Sequence, residues 1–357
     1  MEYNITWRKK DKGWQFIISY KDNLGKWKQK SKQGFKTQKE GKPYIDKMLK
    51  ELKSNIKNNN SSNTTNHITF EELSVIYIEH NFLYKEYHTI KGYKNCFSKF
   101  KDLNNKNINK IKKHDIQSIV DKMLKEHLKY STVKKYVGIL NMFFIYVKDD
   151  LNLISELPTM NIKIPKEKEY SNKKALTKKE LDLLLKKLKT NRYYIVAFIS
   201  ANTGMRLGEV LGLTWDDIDL KNSTVSVNKQ WKVLKNKKSG FGKLKSKNSY
   251  RTIPLSPNTL KELKNYKKNN PIDINNRVAP FNHASIDKYL NPKLRELAGI
   301  TMHELRHTYA TLLISSGIDF KTAAKILGHT VEMTMRIYSH VTDDMMKKAT
   351  KIIENIF

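Results

Sequence analysis

Residues 301–311 read Thr301-Met302-His303-Glu304-Leu305-Arg306-His307-Thr308-Tyr309-Ala310-Thr311, and the C-terminal half of the chain is organised around them. Thr301 and Glu304 have capping-box spacing, so a helix begins here and His303 lies in its first turn. His303 and Arg306 are three residues apart and share a helix face, while His303 and His307 are four apart. This also fits His-Glu-x-x-His, where two histidines one turn apart hold zinc. Arg306 argues against zinc, because it would set a cation beside a dication. A third ligand is not signalled nearby, although His329 or His340 could be imagined. Zinc would also leave Arg206, Tyr338 and the basic charge without roles, so no metal site is read here.

Downstream, Ala323-Ala324-Lys325-Ile326-Leu327-Gly328-His329-Thr330 reads as a helix that ends at Gly328, with His329 in the turn. Nine residues after His329 comes Tyr338, in Ile337-Tyr338-Ser339-His340. Taken singly, His329 is an ordinary structural histidine, and Tyr338, beside Met335 and Ile337, is one packed aromatic among 18 tyrosines. About a hundred residues before His303 stands Thr203-Gly204-Met205-Arg206-Leu207-Gly208-Glu209-Val210. Glycines flank an arginine where a helix starts, and helix starts present N–H groups to anions. Arg206 offers a planar fork that matches two phosphate oxygens. The plainer alternative pairs Arg206 with Glu209 or Asp216.

The whole chain of 357 residues carries 68 Lys and Arg against 35 Asp and Glu, a net charge of +33. Such an excess calls for a polyanionic partner, and nucleic acid fits because neutralising phosphates releases counterions. At 39% hydrophobic residues the chain has enough apolar material for real cores. No run of 18 apolar residues exists, so a membrane partner is not expected. The N-terminal residues do not resemble a secretion signal. Cys96 is the only cysteine, so no intrachain disulfide is possible, and a reducing cytoplasm fits.

The fold class expected is multidomain and mainly α, with small β-sheets. Residues 1–57 form the first unit. Trp14, Phe16, Ile18 and Tyr20 alternate with Gln15, Ile17 and Ser19, which is strand periodicity. Asp22-Asn23-Leu24-Gly25 supplies a turn, Lys26 to Gln33 returns, and Ile5 to Arg8 adds a third strand. A helix follows with Tyr44, Met48, Leu49 and Leu52 on its apolar side and Pro43 in its first turn. This unit has 16 Lys and Arg against 6 Asp and Glu, a net of +10, and a basic sheet can lie in a DNA groove. Residues 58–67 read as a flexible linker. Residues 68–153 form a basic helical bundle, in which Thr69 and Glu72 have capping-box spacing. Its clearest helix runs from Thr132 to Val147, with Val133, Tyr136, Leu140, Phe144 and Val147 in one buried stripe and Lys134, Lys135 and Lys148 opposite. A second linker spans about 155–174. Residues 175–357 form a mixed α+β domain that opens at a Thr177–Glu180 capping box. A stripe of Leu181, Leu184, Leu185 and Leu188 follows, then a buried helix over 195–201. Short strands are expected over 214–220, 224–234 and 251–255, and helices from Asn258 onward.

At Arg206, His303-x-x-Arg306-His307, Leu327-Gly328-His329 and Tyr338 the chain resembles the tyrosine recombinase (phage-type integrase) family. The likeness extends through Thr308-Tyr309-Ala310-Thr311 and Ile337-Tyr338-Ser339-His340 and covers about residues 175–345. The helical bundle resembles that family's core-site-binding domain. The basic N-terminal sheet is similar to the arm-site-binding domain of integrases from conjugative transposons and phages. The family also has a catalytic lysine on a β-hairpin. The segment Lys243-Leu244-Lys245-Ser246-Lys247 before Arg251-Thr252-Ile253-Pro254-Leu255 resembles it and points to Lys245, with Lys243 and Lys247 as neighbours of the same charge.

The resemblance implies an enzyme that cuts and rejoins double-stranded DNA at defined sites. Tyr338 would be the nucleophile, and Arg206 and Arg306 would clamp the phosphate. Lys245 would act as acid, His303 would move a proton at Tyr338, and His329 would bond the phosphate. His307 would support the site from behind. Neither cofactor nor metal is called for, because fixed cations supply the electrostatics. The resemblance further implies a homotetramer on DNA, core and arm attachment sites, and as possible partners an excisionase and a host DNA-bending protein. The apolar tail, with Met345, Met346, Ile352, Ile353 and Phe357, would pack on a neighbouring protomer or on its own core. Competing readings are a type IB-like topoisomerase, a chromosome or plasmid resolvase, and a catalytically silent DNA-binding regulator. The basic sheet at 1–57 favours an integrase of a mobile element.

Overall fold

The structure is a computed structural model. It describes residues 2–10, 13–21, 27–58, 68–165, 174–338, 350 and 353–354, with side chains in the first helix to residue 51. The expected turn at 22–25, the linker core at 59–67, Ser339 and His340, and nearly all of the apolar tail lie outside the described residues. Those residues fall into two compact units. One comprises residues 1–70 with 106–110, and the other residues 71–105 and 111–357.

In the first unit, β1 (Tyr3–Lys10), β2 (Gly13–Lys21) and β3 (Trp27–Phe35) form an antiparallel sheet in the order β1-β2-β3. The alternation seen in the sequence has its cause here. Phe16 and Ile18 are buried with Phe35 under Ile45 and Leu49 of α1 (Gln38–Asn58), while Gln15, Ile17 and Ser19 point the other way. A bulge between Trp14 and Gln15 shifts the β2–β3 register by one residue. Two details differ from expectation. Tyr44 is largely exposed, and Ile45 takes the core position instead. Pro43 is inside α1 and not in its first turn, because the helix starts five residues earlier. Thr37 causes the early start: its hydroxyl accepts from the Glu40 N–H, and the Glu40 carboxylate accepts from the Lys36 N–H. The helix runs through both Gly41 and Pro43.

The second unit begins with the helical bundle. Its helices are α2 (Phe70–Phe82), α3 (Tyr87–Lys99), α4 (Lys113–Lys125) and α5 (Tyr130–Ile145), the last extended by a π turn over Tyr146–Asp150. Val133, Leu140, Phe144 and Val147 are fully buried, joined by Ile139 and Phe143, and Lys134 and Lys135 are exposed. Cys96 is buried and unbridged, and its thiol donates to the Tyr136 carbonyl. The expected linker at 155–165 is anchored to the bundle. Thr159 donates to Asn141, and Gln117 exchanges two hydrogen bonds with the Lys163 backbone.

The remainder contains α6 (Lys178–Leu188), α7 (Tyr194–Thr203), α8 (Leu207–Leu211), β4 (Ile218–Asp219), β5 (Thr224–Val227), β6 (Gln230–Val233), β7 (Ser239–Gly242) and β8 (Arg251–Pro254). It closes with α9 (Pro257–Asn269), α10 (His283–Ser285), a π turn leading into α11 (Asn291–Ala298), α12 (Met302–Ser315), α13 (Phe320–Leu327) and α14 (Val331–Tyr338). Thr177 caps α6 by accepting from the Glu180 N–H, and Leu181, Leu184 and Leu188 enter the core. α7 is buried nearly all round and lies against α12. The strand expected over 224–234 is two strands in different sheets. β5 sits between β4 and β8, whereas β6 pairs with β7 as a separate hairpin. The break has a local cause: Asn228 and Lys229 both turn back to the buried Asp217 carboxylate. The strand expected over 214–220 is mostly a 3-10 turn, Trp215–Asp217, with only β4 extended.

Candidate active site

Two helices end on left-handed glycines, and the carbonyls of those glycines organise the site. α7 stops at Gly204, with φ +64°, and α13 stops at Gly328, with φ +66°. Any side chain would be strained in that conformation. At Gly204 a Cβ would also meet the Tyr309 ring, and at Gly328 the Asn248 carbonyl oxygen. The two carbonyls hold the arginines crosswise. Arg306 Nη1 donates to Gly204 O at 2.5 Å, and Arg206 Nη2 donates to Gly328 O at 3.1 Å. Arg306 Nη2 also donates to Leu327 O at 2.5 Å and lies 2.7 Å from His329 Nε2. Three segments that are distant in sequence are thereby gathered into one pocket.

Glu209 forms the base of the pocket. It accepts from Arg206 Nη1 with one carboxylate oxygen and from Arg251 Nη2 with the other, both at 2.8 Å. Arg251 also donates to Ile326 O and Ser249 O. The Glu209 and Arg251 side chains are only 3% and 2% exposed, whereas Arg206 is 40% exposed. Arg206 is therefore held at its base with part of its fork open to solvent, as an anion-binding group must be. The plain pairing of Arg206 with Glu209 is thus present, and it orients the arginine. Asp216 instead accepts from Asn276. The helix start at α8 is not an open cradle of N–H groups. The Arg206 N–H is already taken by Glu209 at 2.9 Å, in a capping box.

The electrostatics follow from burial among cations. Burial, then the charge of Arg206, brings the Arg306 guanidinium down to about 9, which leaves it protonated at neutral pH. Burial works against the Glu209 carboxylate, but the hydrogen bond and charge of Arg251, with Arg206, outweigh it and hold it below the usual range. Burial and then the charges of Arg306, Arg206 and Arg251 bring His329 to about 3. Its Nδ1 is buried with no hydrogen-bond partner among the described residues. Tyr338 ends α14 in a pocket of Ala310, Ile314, Ala323 and Leu327 and is 2% exposed. Burial raises its phenol above the ordinary value, and Arg306 partly offsets this.

Of the residues singled out from sequence, Arg206, Arg306, His329 and Tyr338 are brought together. His303 lies exposed in the first turn of α12, and His307, one turn further on, stacks on the Tyr338 ring at 5.1 Å and 23°. Lys245 is exposed at a bend just after β7, as are Lys243 and Lys247. Sequence reading missed the work of Arg251 and the two glycine carbonyls. The Arg251-x-Ile-Pro strand start, an arginine at a buried strand end, was the available signal for the first.

Residues 174–345 match the model of the phage integrase family, and residues 6–52 match an arm DNA-binding domain. A "Tyrosine recombinase XerC-like" protein of Caldanaerobacter subterraneus subsp. tengcongensis is 26% identical over 311 residues, covering 75% of this chain and 77% of that protein. The Tn1549 transposon integrase in complex with transposon right end DNA superposes with a TM-score of 0.67 at 20% identity, over 80% of this chain and 100% of that one. A lambda integrase dimer bound to a COC′ core site superposes at 0.60 and 17% identity, over 93% and 94% of the two chains. At these identities the two superpositions establish the fold.

Proposed function

The chain belongs to the phage integrase family of tyrosine recombinases, and from that premise we propose that it is the integrase of a mobile element, a site-specific recombinase. The observation that carries the active-site reading is the convergence of Arg206, Arg306 and His329, with Tyr338 near enough for the charge of Arg306 to act on its phenol. Once released from the packed position it holds here, the Tyr338 hydroxyl attacks the scissile phosphorus. A Tyr–O–P bond forms, the bond to the 5′ oxygen breaks, and the strand is left as a 3′-phosphotyrosine with a free 5′ hydroxyl. Arg206 and Arg306 balance the charge that grows on the non-bridging oxygens. Lys245 gives a proton to the departing 5′ oxygen, His303 takes part in proton transfer at Tyr338, and His329 donates to the phosphate. His307 holds the phenol ring by stacking. Rejoining reverses the step with a different 5′ hydroxyl, and the energy kept in the phosphotyrosine makes ATP unnecessary.

Residues 1–57 serve as the arm-site domain, 68–153 as the core-site domain and 175–357 as the catalytic domain. The arm DNA-binding match at 6–52 supports an integrase of a mobile element over a resolvase. Recombination pairs two sites, so the working form is a tetramer on DNA in the cytoplasm, aided by an excisionase and a host bending protein. The test replaces Tyr338 by Phe and looks for covalent adducts on a nicked substrate taken from the DNA that flanks the gene. The wild-type chain should trap DNA and Y338F should not; adducts on Y338F would mean that another residue is the nucleophile. A two-site recombination assay beside plasmid relaxation separates this reading from a topoisomerase.

A further inference from the structure

We propose that Gln230 and Ser246 are positioning residues that aim Lys245 by fixing the chain on either side of it. This rests on Lys245 serving as the acid toward the 5′ oxygen and goes beyond it by naming what places that acid. A proton donor works only within hydrogen-bond reach of the group it protonates. Lys245 has a long flexible side chain on an exposed segment, so its backbone must be held. No strand ladder holds it. β7 ends at Gly242, β8 begins at Arg251, and the 3-10 turn Lys247–Ser249 starts only after Ser246.

Gln230 supplies the anchor before Lys245. It is the β6 partner of Gly242, the last residue of β7. Its side chain reaches one residue further, and Nε2 donates to Lys243 O at 2.7 Å. The amide thus does for the residue past the strand end what a backbone N–H does within the ladder. β6 is itself seated on α8, the helix that Arg206 caps. A Cβ on Gly212, at the end of α8, would lie 2.8 Å from Gln230 Cα and 2.6 Å from Trp231 N, so the two backbones meet without a side chain between them. Leu244, next after Lys243, is buried in the core of the same domain.

Ser246 supplies the anchor after it. Its Oγ lies 3.0 Å from Ser249 Oγ. Ser249 is 2% exposed, and its Oγ accepts from Arg206 Nη1 at 3.4 Å. Both anchors therefore lead to Arg206, one through α8 and the other through a shared hydroxyl. Lys245 is the lysine that lies between the two fixed points, Lys243 O and Ser246 Oγ. The arginine that clamps the phosphate and the lysine that protonates the departing oxygen are thereby set in one frame. Such pre-placement is what lets a reacting pair meet without a search.

The experiment measures single-turnover cleavage by the full-length chain on two nicked substrates, one with oxygen and one with sulfur at the 5′ bridging position. Sulfur leaves without a proton, so the ratio of the two rates reports the acid alone. Q230A and S246A should each slow the oxygen substrate about 10-fold, and Q230A/S246A about 10²-fold, the scale on which a small misplacement costs rate. All three should cleave the sulfur substrate within about twofold of wild type, because no proton transfer is then needed. That rate also shows the variants to be folded. Q230E has the same size but no N–H for the Lys243 carbonyl, and should behave as Q230A. S246T keeps the hydroxyl and should match wild type on both substrates. Equal losses on the two substrates would mean that these side chains only support the hairpin, and wild-type rates on both would mean that they hold nothing; either result overturns the proposal. A K245A protein that sulfur does not rescue would instead remove the acid role on which the proposal rests.

Discussion

Arg306 Nη2 lies 2.7 Å from His329 Nε2, and a guanidinium nitrogen has only protons to offer. The imidazole must therefore accept at Nε2. His329 is neutral with its proton on Nδ1, which is buried without a partner among the described residues. Burial and three neighbouring arginines agree with this, since they bring His329 to about 3. In the unfolded chain an ordinary histidine titrates near 6.5. Between those values the unfolded state binds the extra proton, so stability is full above about 6.5 and falls as the pH drops. Thermal unfolding of wild type and H329N between pH 5 and 7.5, where carboxylates stay ionised, should show the wild-type midpoint falling faster. Parallel curves would mean that His329 titrates normally.

Glu209 holds Arg206 and Arg251 through its two oxygens in a site that is almost dry on the Arg251 side. Removing it leaves a buried cation without its counter-charge, which costs about 3–5 kcal/mol. E209A should lose stability on that scale by urea unfolding and should lose strand cleavage as well. E209Q keeps the shape and should be milder in both. An E209A protein as stable as wild type would show that Arg251 is satisfied by the Ile326 and Ser249 carbonyls alone.

The residues of the site were legible because their local signals survive in one dimension. Thr301 with Glu304 announces a helix start, Leu327-Gly328-His329 announces a helix end, and Tyr338 follows at short range. The support beneath them was not legible. Arg306 meets Gly204 across 102 residues, and Arg206 meets Gly328 across 122, and no periodicity encodes such contacts. Arg251 looked like an ordinary strand residue, since only its tertiary partner Glu209 marks it. The strand β7 was missed for a different reason. β7 is Ser239-Gly240-Phe241-Gly242, and two glycines leave no alternation to read. Thr224 to Leu234 looked continuous because Asp217, which pulls Asn228 and Lys229 out of line, lies in another element.

His303 and His307 are separable by experiment. His307 stacks on Tyr338 inside the protein, whereas His303 is exposed. H303A should leave the unfolding midpoint unchanged and slow cleavage by about 10²-fold or more, the usual range for a lost proton-transfer group. H307A should lower stability, because an aromatic pair contributes about 0.5–1.5 kcal/mol beyond its buried area, and should slow cleavage only through a less well-held phenol. The pH–rate profile discriminates: it changes shape with H303A and is only scaled down with H307A. If H307A changes the shape and H303A does not, the proton-transfer role belongs to His307.

Lys245 is one of three exposed lysines between β7 and β8, so its role must be isolated chemically. An acid toward the 5′ oxygen matters only while that oxygen is a poor leaving group. A substrate with sulfur at the 5′ bridging position leaves without protonation. K245A should therefore slow cleavage of the ordinary phosphodiester by about 10²–10⁴-fold and cleave the sulfur-substituted strand near the wild-type rate. K243A and K247A should alter binding and its salt dependence, with no such rescue. Rescue seen with K243A or K247A in place of K245A would move the assignment to that neighbour. Equal loss on both substrates with K245A would make Lys245 a phosphate-binding cation.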